Sequence, residues 1–124
     1  MSTNKEIARR WFDEVWNQRR TESIAELTHP ECIGHHEGHT SKGHADLRVL
    51  QRDLLSMVPD LKVVVEAIVA EGDEVVVRWT AKGSSAERPV TFSGITWMRI
   101  AEGKIMEGWD RWNQAALVQY LAAA

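Results

Sequence analysis

Asp110 has the clearest opportunity for chemistry in this chain. It lies in Gly103-Lys104-Ile105-Met106-Glu107-Gly108-Trp109-Asp110-Arg111-Trp112, which reads as a tight turn feeding a strand in which the aspartate stands between tryptophans. Side chains alternate along a strand, so Met106, Gly108, Asp110 and Trp112 share one face while Ile105, Glu107, Trp109 and Arg111 share the other. A carboxylate among small and apolar neighbours is costly to desolvate unless something pairs with it. That placement makes Asp110 a candidate general acid or base. The competing reading is a surface aspartate at a strand end.

The histidines are the second chemical feature. All five, His29, His35, His36, His39 and His44, fall between positions 29 and 44. Such density invites a metal reading, but zinc sites usually take ligands from rigid elements, and no His-x-x-x-His pair here is clearly helical or backed by acidic ligands at motif spacing. No metal is expected, and solvated loop histidines are the plain alternative. The single cysteine, Cys32, excludes an internal disulfide and fits a reducing compartment; it reads as small buried filler rather than a nucleophile. No Gly-x-Gly-x-x-Gly run, nucleotide loop or nucleophile elbow occurs, so no cofactor is expected and serine-hydrolase readings are set aside.

These residues need elements to hold them. Thr3 and Glu6 have capping-box spacing, and Ile7, Ala8, Trp11, Phe12, Val15 and Trp16 recur with helical period, predicting a helix from about Asn4 to Asn17. The aromatics Trp11, Phe12 and Trp16 read as helix-to-sheet core. Ser23 to Leu27 suggests a short second helix that ends before His29-Pro30. A polar, histidine-rich loop is expected from Glu31 to Gly43. Leu47, Leu50, Leu54, Met57 and Val58 mark a third helix stopped by Pro59. Strands follow: Leu61–Ala70, Val75–Lys82, Val90–Ile100 and Ile105–Trp112, separated by Glu71-Gly72-Asp73-Glu74, a polar loop Gly83–Pro89, and Ala101-Glu102-Gly103-Lys104. A last helix is expected over about Asn113–Leu121. Helices first and consecutive strands after them predict one α+β domain over 1–124: a cone-shaped curved antiparallel sheet packed against three N-terminal helices and enclosing a pocket.

At 124 residues and a formal charge of -3, with Lys and Arg scattered among acids, the chain offers no basic stripe for nucleic acid. No apolar run approaches a membrane span and the N-terminus lacks a signal-peptide core, so a cytoplasmic protein with no membrane partner is expected.

In this order, several motifs resemble the SnoaL-like polyketide cyclases of the nuclear-transport-factor-2-like superfamily, which also includes ketosteroid isomerases, scytalone dehydratases and limonene epoxide hydrolases. They are the Arg-Arg-Trp-Phe-x-Glu-Val-Trp-Asn helix (Arg9 to Asn17), His29-Pro30, Pro59-Asp60-Leu61, Glu71-Gly72-Asp73-x-Val75, Arg78-Trp79-Thr80, Phe92-Ser93-Gly94, and Gly103-Lys104-Ile105 leading to Trp109-Asp110. The resemblance implies that Asp110 is the general acid/base of an intramolecular aldol closure. In the epoxide hydrolases the matching aspartate activates water beside an arginine that looks equivalent to Arg78. The departures matter equally. The histidine that the family places two residues before the aspartate is Gly108 here, a usual asparagine falls at about Gly34, polar residues of the preceding strand fall at about Gly94 and Thr96, and a second carboxylate would fall near Thr80. His35 or His36 could reach the pocket mouth and replace the partner lost at Gly108, since histidine titrates near neutral pH.

Phasing the neighbouring strands from the resemblance puts Arg78, Thr80, Phe92, Gly94, Thr96, Met98 and Trp112 inside the pocket with Asp110. The same phase puts Trp79, Trp97 and Trp109 outside. Three large aromatics on one sheet face predict a homodimer through that face; the reversed phase would make them pocket lining. The expectation is an enzyme moving a proton on a small, largely apolar, carbonyl-bearing molecule. Water addition of the epoxide hydrolase or hydratase kind, and non-catalytic ligand binding, are the alternatives.

Overall fold

Thr3 starts the first helix: its hydroxyl accepts the Glu6 N–H at 3.2 Å, which satisfies one of the amides that a helix start leaves without a partner. The computed structural model describes residues 3–113. Along them run α1 (Asn4–Arg10), a π-helical segment (Trp11–Asn17), α2 (Glu22–Leu27), β1 (Thr28–His36), β2 (His39–Lys42), α3 (Gly43–Met57), β3 (Lys62–Glu71), β4 (Glu74–Ser85), β5 (Arg88–Ala101) and β6 (Lys104–Trp112). The helix expected over Asn113–Leu121 lies almost wholly outside the described residues.

The N-terminal helix changes pitch at Trp11. Beyond it the Gln18 N–H donates to the Asp13 carbonyl at 2.9 Å, an i→i+5 bond. That pattern brings residues five apart onto one side, so Trp11 and Trp16 meet edge to face with centroids 6.5 Å apart. Side chains tie the segment down. Asn17 Nδ2 donates to the Val63 carbonyl at 2.9 Å and its Oδ1 accepts the Val63 N–H at 2.7 Å. The buried Gln51 of α3 donates to the Val15 carbonyl at 2.8 Å and accepts from the Thr21 hydroxyl at 3.0 Å.

The strands form one six-stranded sheet in the order β2-β1-β6-β5-β4-β3. β1 runs parallel to β6; the other neighbours are antiparallel. Register shifts in β3 at Val65/Ala67 and between β5 and β6 at Arg99/Ile100 increase the bend of the sheet. Val75, Val77, Trp79 and Ala81 of β4 face the helices with Val90, Phe92, Thr96, Met98 and Ile100 of β5, and they join Ile7, Phe12, Val15, Leu27 and Leu61 in one apolar cluster. The architecture is therefore α+β, a curved sheet with helices packed on one face. Among the described residues no helix is long and apolar enough to cross a membrane.

Two expected loops are strands. The histidine-rich stretch Glu31–Gly43 forms most of β1 and β2, because β1 finds a parallel partner in the chain-distant β6. The Gly83–Pro89 loop is the extended end of the β4–β5 hairpin, closed by Ala86 and Glu87 at φ 51° and 67°. That left-handed pair makes the tight hairpin turn usually given to Asn-Gly.

Because Asn17 alone spans both peptide groups of Val63, Asn17→Ala should lower the unfolding free energy by about 1–3 kcal/mol, seen as a lower urea midpoint at unchanged slope. Asn17→Asp, which keeps the acceptor and loses the donor, should fall between.

Candidate active site

Strand register assembles the site. Thr96 lies opposite Asp110, and Met98 opposite Gly108, across β5 and β6. On the other side Gly34 pairs with Gly108 and His35 with Trp109. One residue further, His36 of β1 and Asp110 of β6 point the same way. His36 Nδ1 stands 3.0 Å from Asp110 Oδ2. The Thr96 hydroxyl donates to Asp110 Oδ1 at 2.7 Å and accepts from Trp79 Nε1 at 2.9 Å. At the far side of the imidazole, His36 Nε2 lies 3.0 Å from Ser41 Oγ. A continuous polar line thus runs Trp79–Thr96–Asp110–His36–Ser41 through an otherwise apolar interior.

This line borders a cavity of about 100 Å³ between the sheet and the helices, the order of size at which an apolar protein cavity takes up one aromatic ring. Trp11, Phe12 and Trp16 close it from the helical side, and Trp79, Phe92 and Trp112 from the sheet. Phe92 stacks on Trp112 at 4.8 Å between centroids, with Trp79 edge-on to Phe92 and tilted against Trp112. The side chain of Asp110 keeps 27% of its surface accessible and that of His36 only 7%. Asp110 is the group that a ligand can touch. Both ring nitrogens of His36 are already engaged, so it acts on the carboxylate and not directly on a ligand.

Among the residues singled out from sequence, Asp110, His36, Phe92, Thr96, Met98 and Trp112 line the cavity. Gly94 stands behind the aromatic wall: a Cβ there would lie 2.6 Å from Trp112 Cβ and 2.7 Å from Trp79 Cζ2. Arg78 and Thr80 do not belong to the site. β4 faces inward through Val75, Val77, Trp79 and Ala81, so Arg78 is exposed on the opposite face, opposite Ile95. The same correction moves Trp79 from the outer face to the cavity wall, because Thr96 pairs with Val77 and Gly94 with Trp79. His35 also points outward, where its ring stacks on Trp109 at 5.3 Å and its Nε2 lies 2.6 Å from Glu107 Oε2. Ile105 turns inward through the β5–β6 irregularity.

Several site residues carried no sequence signal that was used. Trp79 could have been found from the alternation Val75, Val77, Trp79, Ala81 alone. Ser41 had none, since a serine in a polar stretch is unremarkable. His39, whose ring stacks on His36 at 4.7 Å, completes the cavity mouth. Cys32 lines the wall, and burial pushes its thiol up to about 11, with the Glu107 charge adding and Arg99 opposing. It stays a neutral apolar group at pH 7. Among the described residues no three His, Cys, Asp or Glu side chains are arranged to hold a metal ion.

Comparison with known proteins gives the class. The model of the SnoaL-like polyketide cyclases matches residues 6–121, and the chain belongs to that family. Solved structures share the fold. A candidate SnoaL-like polyketide cyclase from Jannaschia sp. CCS1 superposes with a TM-score of 0.88 at 23% identity, covering 98% of this chain and 92% of that one. AclR, a candidate hydroxylase from Streptomyces galilaeus, gives 0.83 at 24%, covering 98% and 96%. TerC, co-crystallised with polyporic acid, gives 0.83 at 20%, covering 95% and 97%. No match is found among curated proteins. Family membership supports a cyclase-type function, and no reaction follows from fold likeness at these identities.

On the outer face, the hydrogen bond from His35 holds the Glu107 carboxyl below the usual carboxylate range, with Arg99 adding to it against a partial desolvation. A depressed folded value means that the pair stabilises the fold above the unfolded carboxylate pKa of about 4.3 and loses that contribution as pH falls through the folded value. Glu107→Gln should therefore narrow the difference in urea midpoint between pH 6 and pH 3. An unchanged difference would remove the pair from the acid response.

Proposed function

We propose that the cavity is an active site for proton transfer on a small, largely apolar, carbonyl-bearing molecule, with Asp110 as the acid/base and an intramolecular aldol closure or isomerisation as the result. The observation that carries this reading is the Asp110 carboxylate, set at the edge of an aromatic cavity, with Thr96 donating to one oxygen and His36 against the other. In the aldol case Asp110 takes a proton from the carbon next to a carbonyl. The enolate carbon then bonds to a second carbonyl carbon of the same molecule, and the resulting alkoxide takes a proton back. Stacking of one ring between Trp112 and the helical tryptophans would orient the acidic carbon over the carboxylate. TerC, of the same fold, was crystallised with polyporic acid, which makes that compound a reasonable first ligand to try.

Water addition has less support. It would draw on an arginine beside the aspartate, and Arg78 lies on the far side of the sheet. A cheap assay separates a catalyst from a binder without knowing the substrate: deuterium exchange at the methyl carbon of acetophenone, followed by NMR. Asp110→Asn should reduce the exchange rate by about 10² to 10⁴, while quenching of tryptophan fluorescence by polyporic acid stays as in the wild type. Exchange that persists in Asp110→Asn would sink the proposal.

We also propose that the outer sheet face is a contact between two copies of the chain. Trp97 keeps 48% of its surface exposed there, on the same face as Ile95, Val64 and Val69, which are at least as open. The Trp97 indole N–H is already satisfied by Glu74 at 2.7 Å, so what remains uncovered is apolar area. Trp109 sits next to Trp97 across β5 and β6; Trp79, turned inward, takes no part. Sedimentation should show a dimer at micromolar concentration, converted to monomer by Trp97→Glu. A wild-type monomer at high micromolar concentration would exclude it.

A further inference from the structure

We propose that Ser41, reaching His36 through the gap left by Gly34, is a positioning residue that holds the imidazole with Nδ1 against Asp110, so that the carboxylate keeps this partner when it acts as a base. The inference deepens the functional reading above and rests on it for the role of Asp110. Its first test does not need that reading.

The argument starts from donor and acceptor capacity. An ionised carboxylate only accepts, so with Asp110 as the base the proton at the 3.0 Å contact must sit on His36 Nδ1. A neutral ring then has only a lone pair at Nε2, in a side chain that is 7% accessible. A buried acceptor without a donor costs free energy. Ser41 is the donor in reach, with Oγ 3.0 Å from Nε2. Were the ring to carry its proton on Nε2 instead, Nδ1 would present a lone pair to Asp110 Oδ2, and that arrangement favours the protonated acid. A serine hydroxyl can donate or accept, so Ser41 serves either tautomer; what it fixes is the orientation of the ring, anchoring Nε2 so that Nδ1 stays against the carboxylate.

The local backbone makes room for this contact. Ser41 belongs to β2 and pairs with Gly34 of β1. A Cβ on residue 34 would stand 2.5 Å from Ser41 Oγ and 2.8 Å from His36 Nε2. The hydrogen bond can exist only over a glycine. Other titratable groups against the His36 ring are Asp110 from β6 and His39, stacked on its face; neither reaches Nε2 as a donor in this structure.

Ser41, His36 and Asp110 follow the atom order of a serine-hydrolase triad. Ser41 is nevertheless 4% exposed and does not border the cavity, while His36 does. Its oxygen lies behind the imidazole from any ligand. Nucleophilic attack is ruled out by access, and positioning remains.

The test is nitrogen-15 NMR of the histidine rings in the whole protein at pH 7, with His36 assigned by its loss in His36→Gln. Wild type should show His36 protonated at Nδ1. Ser41→Ala and Gly34→Ala, which break the same bond from its two sides, should both speed solvent exchange of the His36 Nδ1 proton severalfold, and Ser41→Thr should restore it. In the exchange assay Ser41→Ala should lower kcat by roughly twofold to tenfold, the range set by one neutral hydrogen bond, with KM within about twofold and Ser41→Thr rescuing it. An unchanged solvent-exchange rate of the His36 Nδ1 proton in Ser41→Ala overturns the proposal, as does a faster one with unaltered kcat. If instead Asp110→Asn retains full exchange at acetophenone, the functional reading fails while the Nδ1-proton result still decides what Ser41 does to His36.

Discussion

A carboxylate set at the edge of an aromatic cavity is the most demanding group in this structure, because each of its oxygens must find a partner where water is scarce. Asp110 meets the demand through two arms. One runs Gly94, Trp79, Thr96: the missing side chain at 94 leaves room for the Trp79 indole, the indole N–H occupies one lone pair of the Thr96 hydroxyl, and the threonine proton is left for Asp110. The other runs Gly34, Ser41, His36. Each arm begins at a glycine and ends on a different oxygen of the same carboxylate. Neither could form if the sheet slipped by one residue, since a slip sends every second side chain to the other face.

That dependence on register explains which parts of the site could be read in the sequence. On β6 the phase was legible, because Gly108, Asp110 and Trp112 recur at every second position and a lone aspartate between large rings is unusual. On β4 it was misjudged. Taking the phase of Arg78 and Thr80 from relatives overrode the chain's own pattern, in which Val75, Val77, Trp79 and Ala81 form the more apolar set. The partner strand settles the matter physically: an indole can face inward at 79 because residue 94 opposite it is glycine. A rule about tryptophans on an outer face had no access to that pairing.

The histidine-rich stretch was illegible for a different reason. β1 is a strand because β6, more than seventy residues later in the chain, lies beside it in parallel, and local composition carries no trace of such a partner. Its inward residues, Cys32, Gly34 and His36, are small or polar because they border a cavity rather than a packed core. The π-helical segment is similar. Its apolar spacing fits an ordinary helix equally well, yet the wider turn is what puts Trp11 and Trp16 on the same wall. The helices and the four strands from β3 to β6 came through from periodicity; β1, β2, the pitch, the strand partners and the turn at Ala86-Glu87 did not.

The resemblance to the family leads one to look for a histidine at position 108, two residues before the aspartate. Here a glycine holds that position, and a Cβ on it would meet nothing nearer than the Trp97 carbonyl at 3.7 Å. The position has therefore become space. Parallel pairing of Gly34 with Gly108 carries His36 alongside Asp110, so the imidazole arrives from the neighbouring strand rather than from β6 itself. Moving the partner sideways changes what it can do. A side chain at 108 would project into the cavity and could meet a ligand, whereas His36 borders the cavity with both nitrogens already engaged. In the proposed reaction the chemistry rests on one carboxylate, and the room left at 108 lies beside it, where a bound ring would present its acidic carbon.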